Sequence, residues 1–193
     1  MSEKELRLND LKQECINCHK CVLGNTRNNT VFSDGSCDAK IMLIGEAPGA
    51  DEDATGPPSV GRAGKLLTKL MEETGLCREN DIYITNTVKC RPPENRVPSD
   101  EEKKLCENFL LKQIEIVKPK VIVLCGATSA KSFLGGKIKI TRIRGKWYKL
   151  FGNIDATVML HRSFLLRKQS EEEGSERWLT KEDLLKSKEF ISK

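Results

Sequence analysis

The stretch Ile41-Met42-Leu43-Ile44-Gly45-Glu46-Ala47-Pro48-Gly49 decides the fold. Its opening apolar residues show no helical spacing and stop at a glycine, the pattern of a short strand buried on both faces. A polar, glycine-rich loop follows, as far as Gly64. Outward from there the pattern alternates. Residues 63–74 carry Leu66, Leu67, Leu70 and Met71 at helical spacing, and Gly75 stops them. Ile82-Tyr83-Ile84-Thr85 reads as a second strand. Ser99-Asp100-Glu101-Glu102 is a capping box that opens a long helix through Phe109, Ile114 and Val117, ended by Lys118-Pro119. Val121-Ile122-Val123-Leu124 is a third strand, followed by a short helix over 127–134. Residues 147–151 and 154–160 read as strands joined by Gly152-Asn153, and Thr180 is expected to cap a terminal helix. This alternation predicts a three-layer α/β/α sandwich with a mostly parallel central sheet, as one domain over 1–193.

The polar residues fall at telling places. Gly45-Glu46 follows the first strand, Asn86 the second, Gly126 the third and His161 the last. In open α/β sheets ligands bind in the crevice at the carboxyl ends of the strands. Glu46, Asn86 and His161 are therefore expected on one rim with the loop from Gly45 to Gly64. Any one of them alone could be a turn former or a cap.

With 193 residues the chain can bury a full core, and its net charge of +5 is compatible with a polyanionic partner without requiring one. The opening residues are charged and lack the apolar core of a signal peptide, and no run is long enough to span a membrane. A reducing cytoplasm and no membrane association are expected. In that compartment the eight cysteines point to metal rather than disulfides. Cys18-His19-Lys20-Cys21 is a clip whose two sulfurs can reach one centre. Cys90 precedes a proline-rich turn and Cys106 lies in the following helix. Four thiolates suit zinc or an iron–sulfur cluster, and they fill either site without an open position, so the centre is read as structural. Cys125, in an apolar run, is expected in the core.

Three motifs carry a resemblance. Gly45-Glu46-Ala47-Pro48-Gly49-Ala50-Asp51-Glu52-Asp53 with Gly61-Arg62-Ala63-Gly64, then Thr85-Asn86-Thr87-Val88-Lys89-Cys90-Arg91-Pro92-Pro93, then His161-Arg162-Ser163-Phe164-Leu165-Leu166-Arg167 resemble, in order, the motifs of family 4 uracil-DNA glycosylases. The resemblance runs from about Cys18 to Arg167. It implies a monofunctional enzyme that flips uracil out of single- or double-stranded DNA and hydrolyses its N-glycosidic bond. It also implies a four-iron four-sulfur (4Fe-4S) cluster on Cys18, Cys21, Cys90 and Cys106, with Cys15 outside it, and a monomer. Glu52 matches the family's acidic position, which holds water or steadies the sugar cation.

The chemistry can be set against those residues. Breaking the glycosidic bond puts positive charge on the sugar and negative charge on the departing base, so a carboxylate and hydrogen-bond donors are needed. His161 is expected to donate to uracil O2, and Asn86 to present a donor and an acceptor to O4 and N3–H. Glu46, Ala47, Gly49 and Ser59 are expected around the base. Arg62, Arg91, Arg162 and Arg167 are expected on DNA phosphates, with Lys89 and Arg96 as further candidates. Asp51 and Asp53 are read as solvated. Two positions depart from the family. Ser59 stands where it carries a stacking phenylalanine, leaving the pocket open or covered by another ring such as Phe32 or Phe164. Arg162 replaces a proline. Two competing readings remain: a protein of the same fold that binds DNA or a deaminated base with little turnover, and a zinc-stabilised structural protein.

Overall fold

The computed structural model describes residues 1–192. In chain order the elements are α1 (Glu3–Ile16), α2 (Leu23–Thr26), β1 (Asp34–Gly35), β2 (Ile41–Gly45), α3 (Ala50–Thr55), α4 (Arg62–Glu73), α5 (Arg78–Asp81), β3 (Ile82–Asn86), a 3-10 turn (Pro93–Asn95), α6 (Asp100–Val117), β4 (Val121–Cys125), α7 (Ala127–Leu134), α8 (Ile140–Ile143), β5 (Trp147–Leu150), β6 (Ile154–Met159), α9 (Arg162–Leu165) and α10 (Glu176–Ile191). The six strands form one sheet in the order β1-β3-β2-β4-β6-β5. The inner four are mutually parallel, and β1 and β5 close the edges antiparallel.

Side-chain alternation along the buried strands divides the core in two. Met42, Ile44, Ile122 and Leu124 pack with Leu8 and Leu11 of α1 and Phe109, Leu110 and Ile114 of α6. Ile41, Leu43, Val121 and Val123 face the other way, onto Leu67, Leu70 and Met71 of α4 and Leu184 of α10. Helices thus cover both faces, which makes the expected sandwich. The chain runs from β2 to β3 on one side and then crosses to β4 on the other, so the topological switch lies at the carboxyl end of β2. Such a switch opens a crevice.

Two elements differ from the sequence reading. The terminal helix begins before Thr180: Ser175 is its cap, accepting from the Trp178 N–H at 3.4 Å, and Thr180 sits a turn inside with its hydroxyl on the Glu176 carbonyl at 2.8 Å. A threonine hydroxyl in a helix interior can satisfy itself on the preceding turn, so its presence does not mark a start. The charged opening folds into α1, with a capping box between Ser2 and Glu5. Only Leu8, Leu11 and Cys15 are buried along it, a narrow apolar stripe masked by charge.

Candidate active site

The crevice is built on the ends of β2 and β3. Gly45 and Asn86 are register partners, and the chain beyond them is pinned by backbone and side-chain bonds: Thr87 N–H to the Gly45 carbonyl at 2.9 Å and the Thr87 hydroxyl to the Glu46 carbonyl at 2.6 Å. The Asn86 backbone carbonyl accepts from Lys89 Nζ at 2.8 Å. Its side chain is the opposite case. Asn86 is fully buried, yet neither Oδ1 nor Nδ2 has a hydrogen-bond partner. Buried carboxamides are almost always paired, so this one is held ready for something else.

His161 arrives from the end of β6 and caps α9. Its Nδ1 accepts the Ser163 backbone N–H at 3.3 Å and lies 2.7 Å from the Ser163 hydroxyl. Nδ1 is thereby an acceptor, and a neutral ring carries its proton on Nε2. Burial, then the neighbouring Arg162 charge, pulls its pKa down to about 4, so the ring is neutral at physiological pH. Gly126 makes the approach possible: it has a φ of 93°, and a methyl group there would lie 2.8 Å from His161 Cβ.

The two glutamates of the loop have different tasks. Glu52 is buried and its carboxylate is spent on the backbone: Oε2 accepts from Gly49 at 3.0 Å, and Oε1 from Val60 and Gly61, each at 3.1 Å. These bonds hold the loop in shape. Glu46 lines the same cleft with Ala47, Gly49 and His161, and among the described residues its carboxylate has no hydrogen-bond partner. Asp53, expected in solvent, is buried and accepts from the Asn28 backbone and side-chain N–H groups at 2.9 and 2.8 Å. Asp51 is exposed.

Ser59 is not on the cleft wall. It is 1% exposed, has a φ of 60°, and its hydroxyl is unpartnered. Its hollow is shared with Asp34, Pro57 and Arg78 on the far side of the loop. Neither proposed substitute fills its place: Phe32 is in the core against α1 and α6, and Phe164 packs toward α4 and α10. Among the described residues the cleft lining includes no phenylalanine, tyrosine or tryptophan ring.

The basic residues separate into surface and interior. Arg62 and Arg167 are exposed, and Arg91 is half-buried with Nε on Asn95 at 2.8 Å. Arg96 borders the cleft and is held by Glu102 at 2.6 Å. Two candidates for phosphate contact are interior instead. Lys89 is 1% exposed, and Arg162 is 6% exposed because α9 turns it in beneath His161. Lys89 offers no accessible cation to a phosphate, whereas Arg162 keeps a face on the cleft. The sequence signal for Lys89 was its place directly after Val88 in a run buried from Ile82 to Cys90. A larger hollow between α6, α7 and β5 gathers lysines already matched by acids, Lys103 and Lys131 by Asp100 and Lys149 by Asp155.

On the other side of the β3 extension, Cys18, Cys21, Cys90 and Cys106 line one small cavity, with Cys15 and Lys89 in its wall. Four thiols lining one cavity are a donor set whose chemistry fits an iron–sulfur cluster. Arg27 closes the cavity, with Nη1 on the Cys18 carbonyl at 2.8 Å and on Cys90 Sγ at 3.2 Å. Burial pushes the Cys90 thiol up to about 11, so metal loading must displace its proton. Cys125 is buried in the core, as expected.

The model of the Uracil DNA glycosylase superfamily matches residues 32–185. A type-4 uracil-DNA glycosylase of Thermotoga maritima is 44% identical over 194 residues, covering 100% of this chain and 99% of the relative. Type-4 uracil-DNA glycosylases of Archaeoglobus fulgidus and Sulfurisphaera tokodaii are 44% and 46% identical, over 74% and 73% of this chain and 73% and 66% of their own lengths. No described helix is long and apolar enough to cross a membrane.

Proposed function

The chain belongs to the uracil DNA glycosylase superfamily, and from that premise we propose that it hydrolyses the N-glycosidic bond of uracil in DNA and leaves an abasic site. One observation carries the reading: a fully buried carboxamide, Asn86, with both polar atoms unpartnered at the carboxyl ends of parallel strands. A base is out of reach inside a duplex, so the nucleotide is flipped into the cleft. There Asn86 accepts from N3–H and donates to O4. Cytosine presents the reverse pattern and would leave these groups buried and unpaired.

As the C1′–N1 bond breaks, its electron pair passes to the uracil ring and the sugar becomes cationic. His161 Nε2–H donates to O2. The free Glu46 carboxylate orients a water toward C1′ and takes one of its protons; the released uracil anion is protonated from solvent. Glu52 fixes the loop that carries Glu46. Arg62, Arg91 and Arg167 contact phosphates. Cys18, Cys21, Cys90 and Cys106 hold a 4Fe-4S cluster that clamps the first residues to β3 and α6, and it supplies structure rather than reaction chemistry. The protein acts as a cytoplasmic monomer.

A second reading, base binding without turnover, is favoured by the absence, among the described residues, of a phenylalanine, tyrosine or tryptophan ring from the cleft lining. One assay separates them. Labelled uracil oligonucleotide, incubated with the protein and treated with alkali, is expected to break at the uracil. Tight binding with an intact strand supports the second reading and overturns the first. The purified protein is expected to be brown. Alanine at Cys18, Cys21, Cys90 or Cys106 should bleach it, whereas Cys15→Ala should keep the colour; the reverse result would place the ligands differently.

A further inference from the structure

The sequence singles out Arg162 as a departure, and its surroundings in the fold are those of a substrate contact. It is the first residue of α9, directly after His161, and it is 6% exposed. A methyl group on Gly45 would lie 2.9 Å from its Nη1 and would also strike Asn86 Oδ1. Its charge reaches the thiol of Cys125 at the end of β4 and the ring of His161. The guanidinium therefore lies over the carboxyl ends of β2, β3 and β4, against the carboxamide that has no partner. It also lines the cleft, and among the described residues no carboxylate pairs with it. The guanidinium and the unpartnered Asn86 carboxamide both lie against Gly45, and the guanidinium opens onto the cleft.

We propose that Arg162 is a catalytic residue of this chain, whose guanidinium contacts a carbonyl oxygen of the flipped base and takes up the negative charge that develops on it. The inference rests on the uracil-excision reading. When the C1′–N1 bond breaks, its electron pair spreads from N1 onto O2 and O4. A neutral His161 offers that anion a hydrogen bond only. A guanidinium keeps its charge across the working pH range and presents its donors in a fixed plane. Its attraction grows with bond breaking, which is what lowers a barrier rather than tightening ground-state binding.

The test is single-turnover excision of uracil and of 5-fluorouracil from the same single-stranded oligonucleotide, by wild type, Arg162→Gln and Arg162→Lys. Fluorine makes the base a better leaving group, so its departure depends less on a stabilising charge. Arg162→Gln is expected to slow uracil excision by about 10²–10³-fold and 5-fluorouracil excision distinctly less. Arg162→Lys should recover most of the loss. Affinity for an undamaged oligonucleotide and its salt dependence should match wild type, with an unchanged melting temperature confirming the fold. Equal slowing of both bases, wild-type rates, or a loss of undamaged-DNA affinity with a shallower salt dependence would each overturn the inference, the last by making Arg162 a phosphate contact. If Arg162→Gln does not fold, Arg162→Lys carries the same comparison through its ratio of the two rates: a ratio equal to wild type with a large loss on both bases overturns it. Failure of wild type to release either base overturns the excision reading itself, a distinguishable result.

Discussion

The cysteine cavity, with Lys89 and Cys90 in its wall, and the strand ends at Gly45 and Asn86 behind the base cleft treat polar groups in opposite ways. At the cavity the buried cations are satisfied. Lys89 Nζ donates to Thr85 Oγ1 at 2.5 Å, Gln113 Oε1 at 2.6 Å and the Asn86 carbonyl at 2.8 Å, and Arg27 spans two backbone carbonyls and one sulfur. At the strand ends behind the cleft, Asn86 has two idle polar atoms, and on the cleft wall Arg162 has no carboxylate partner among the described residues. Paired groups hold the chain in one arrangement, and an idle carboxamide is free to pair with a ligand. The difference distinguishes the supporting side of the molecule from the reacting side without reference to the reaction.

Lys89 joins the two, so removing it should have the largest effect on stability. Lys89→Met leaves Thr85, Gln113 and the Asn86 carbonyl without their shared donor and removes a buried cation facing Cys15, Cys90 and Cys106. Leaving a buried acceptor unpaired typically costs about 1–3 kcal/mol. Denaturant unfolding should register that loss, and the visible absorbance of the cluster should fade faster in air than in wild type. A variant within about 1 kcal/mol of wild type, with lasting colour, would break the comparison by showing that the satisfied side does not depend on this cation.

How legible each side was in the sequence follows from the same contrast. The strands, α4, α6 and the carboxyl-end rim were readable because apolar periodicity and caps are local signals. The gathering of Cys18, Cys21, Cys90 and Cys106 around one cavity was readable as cysteine spacing plus a resemblance. What was hidden is the direction of individual side chains. Nothing local says that Glu52 turns back onto Gly49, Val60 and Gly61 while Glu46 stays free. Nor does a basic letter distinguish exposed Arg167 from buried Arg162, since both follow His161 in a motif that reads as a surface loop. Ser59 was placed in the pocket by alignment alone, and its left-handed backbone turns it away.

On the reacting side, His161→Ala should lower single-turnover uracil excision by about 10²–10³-fold with the fold and undamaged-DNA binding retained. The pH profile sharpens this. The folded ring takes its proton only near a pKa of about 4, against about 6.5 when unfolded. Between those values the unfolded state binds more protons, so stability is complete above about 6.5 and declines as pH falls toward 4. Excision by wild type should stay level down through about 6.5, and any acid limb owed to His161 should appear well below it. An acid limb centred at the ordinary histidine value would mean that the ring is solvated in the working enzyme.

Ser59 offers the smallest effects and the finest test, because two substitutions should move it in opposite directions. If the missing ring had simply left space in the base pocket, Ser59→Phe would gain stacking and speed excision. Ser59 is instead buried at a φ of 60°, and Gly64 closes on its backbone so tightly that a methyl group there would collide with the Ser59 carbonyl. A bulky ring is disfavoured in that backbone region and must force the loop apart, at about 1–3 kcal/mol. Ser59→Phe should therefore lower the melting temperature without raising the rate on uracil. Ser59→Gly removes both the left-handed penalty, about 1–2 kcal/mol, and the idle hydroxyl. Against this stands the extra chain entropy of glycine, about 0.5–1 kcal/mol, so a gain of up to about 1 kcal/mol is expected. Faster excision by Ser59→Phe at undiminished stability would show that the loop reverses to present this position to the base, which would bring Ser59 to the reacting side.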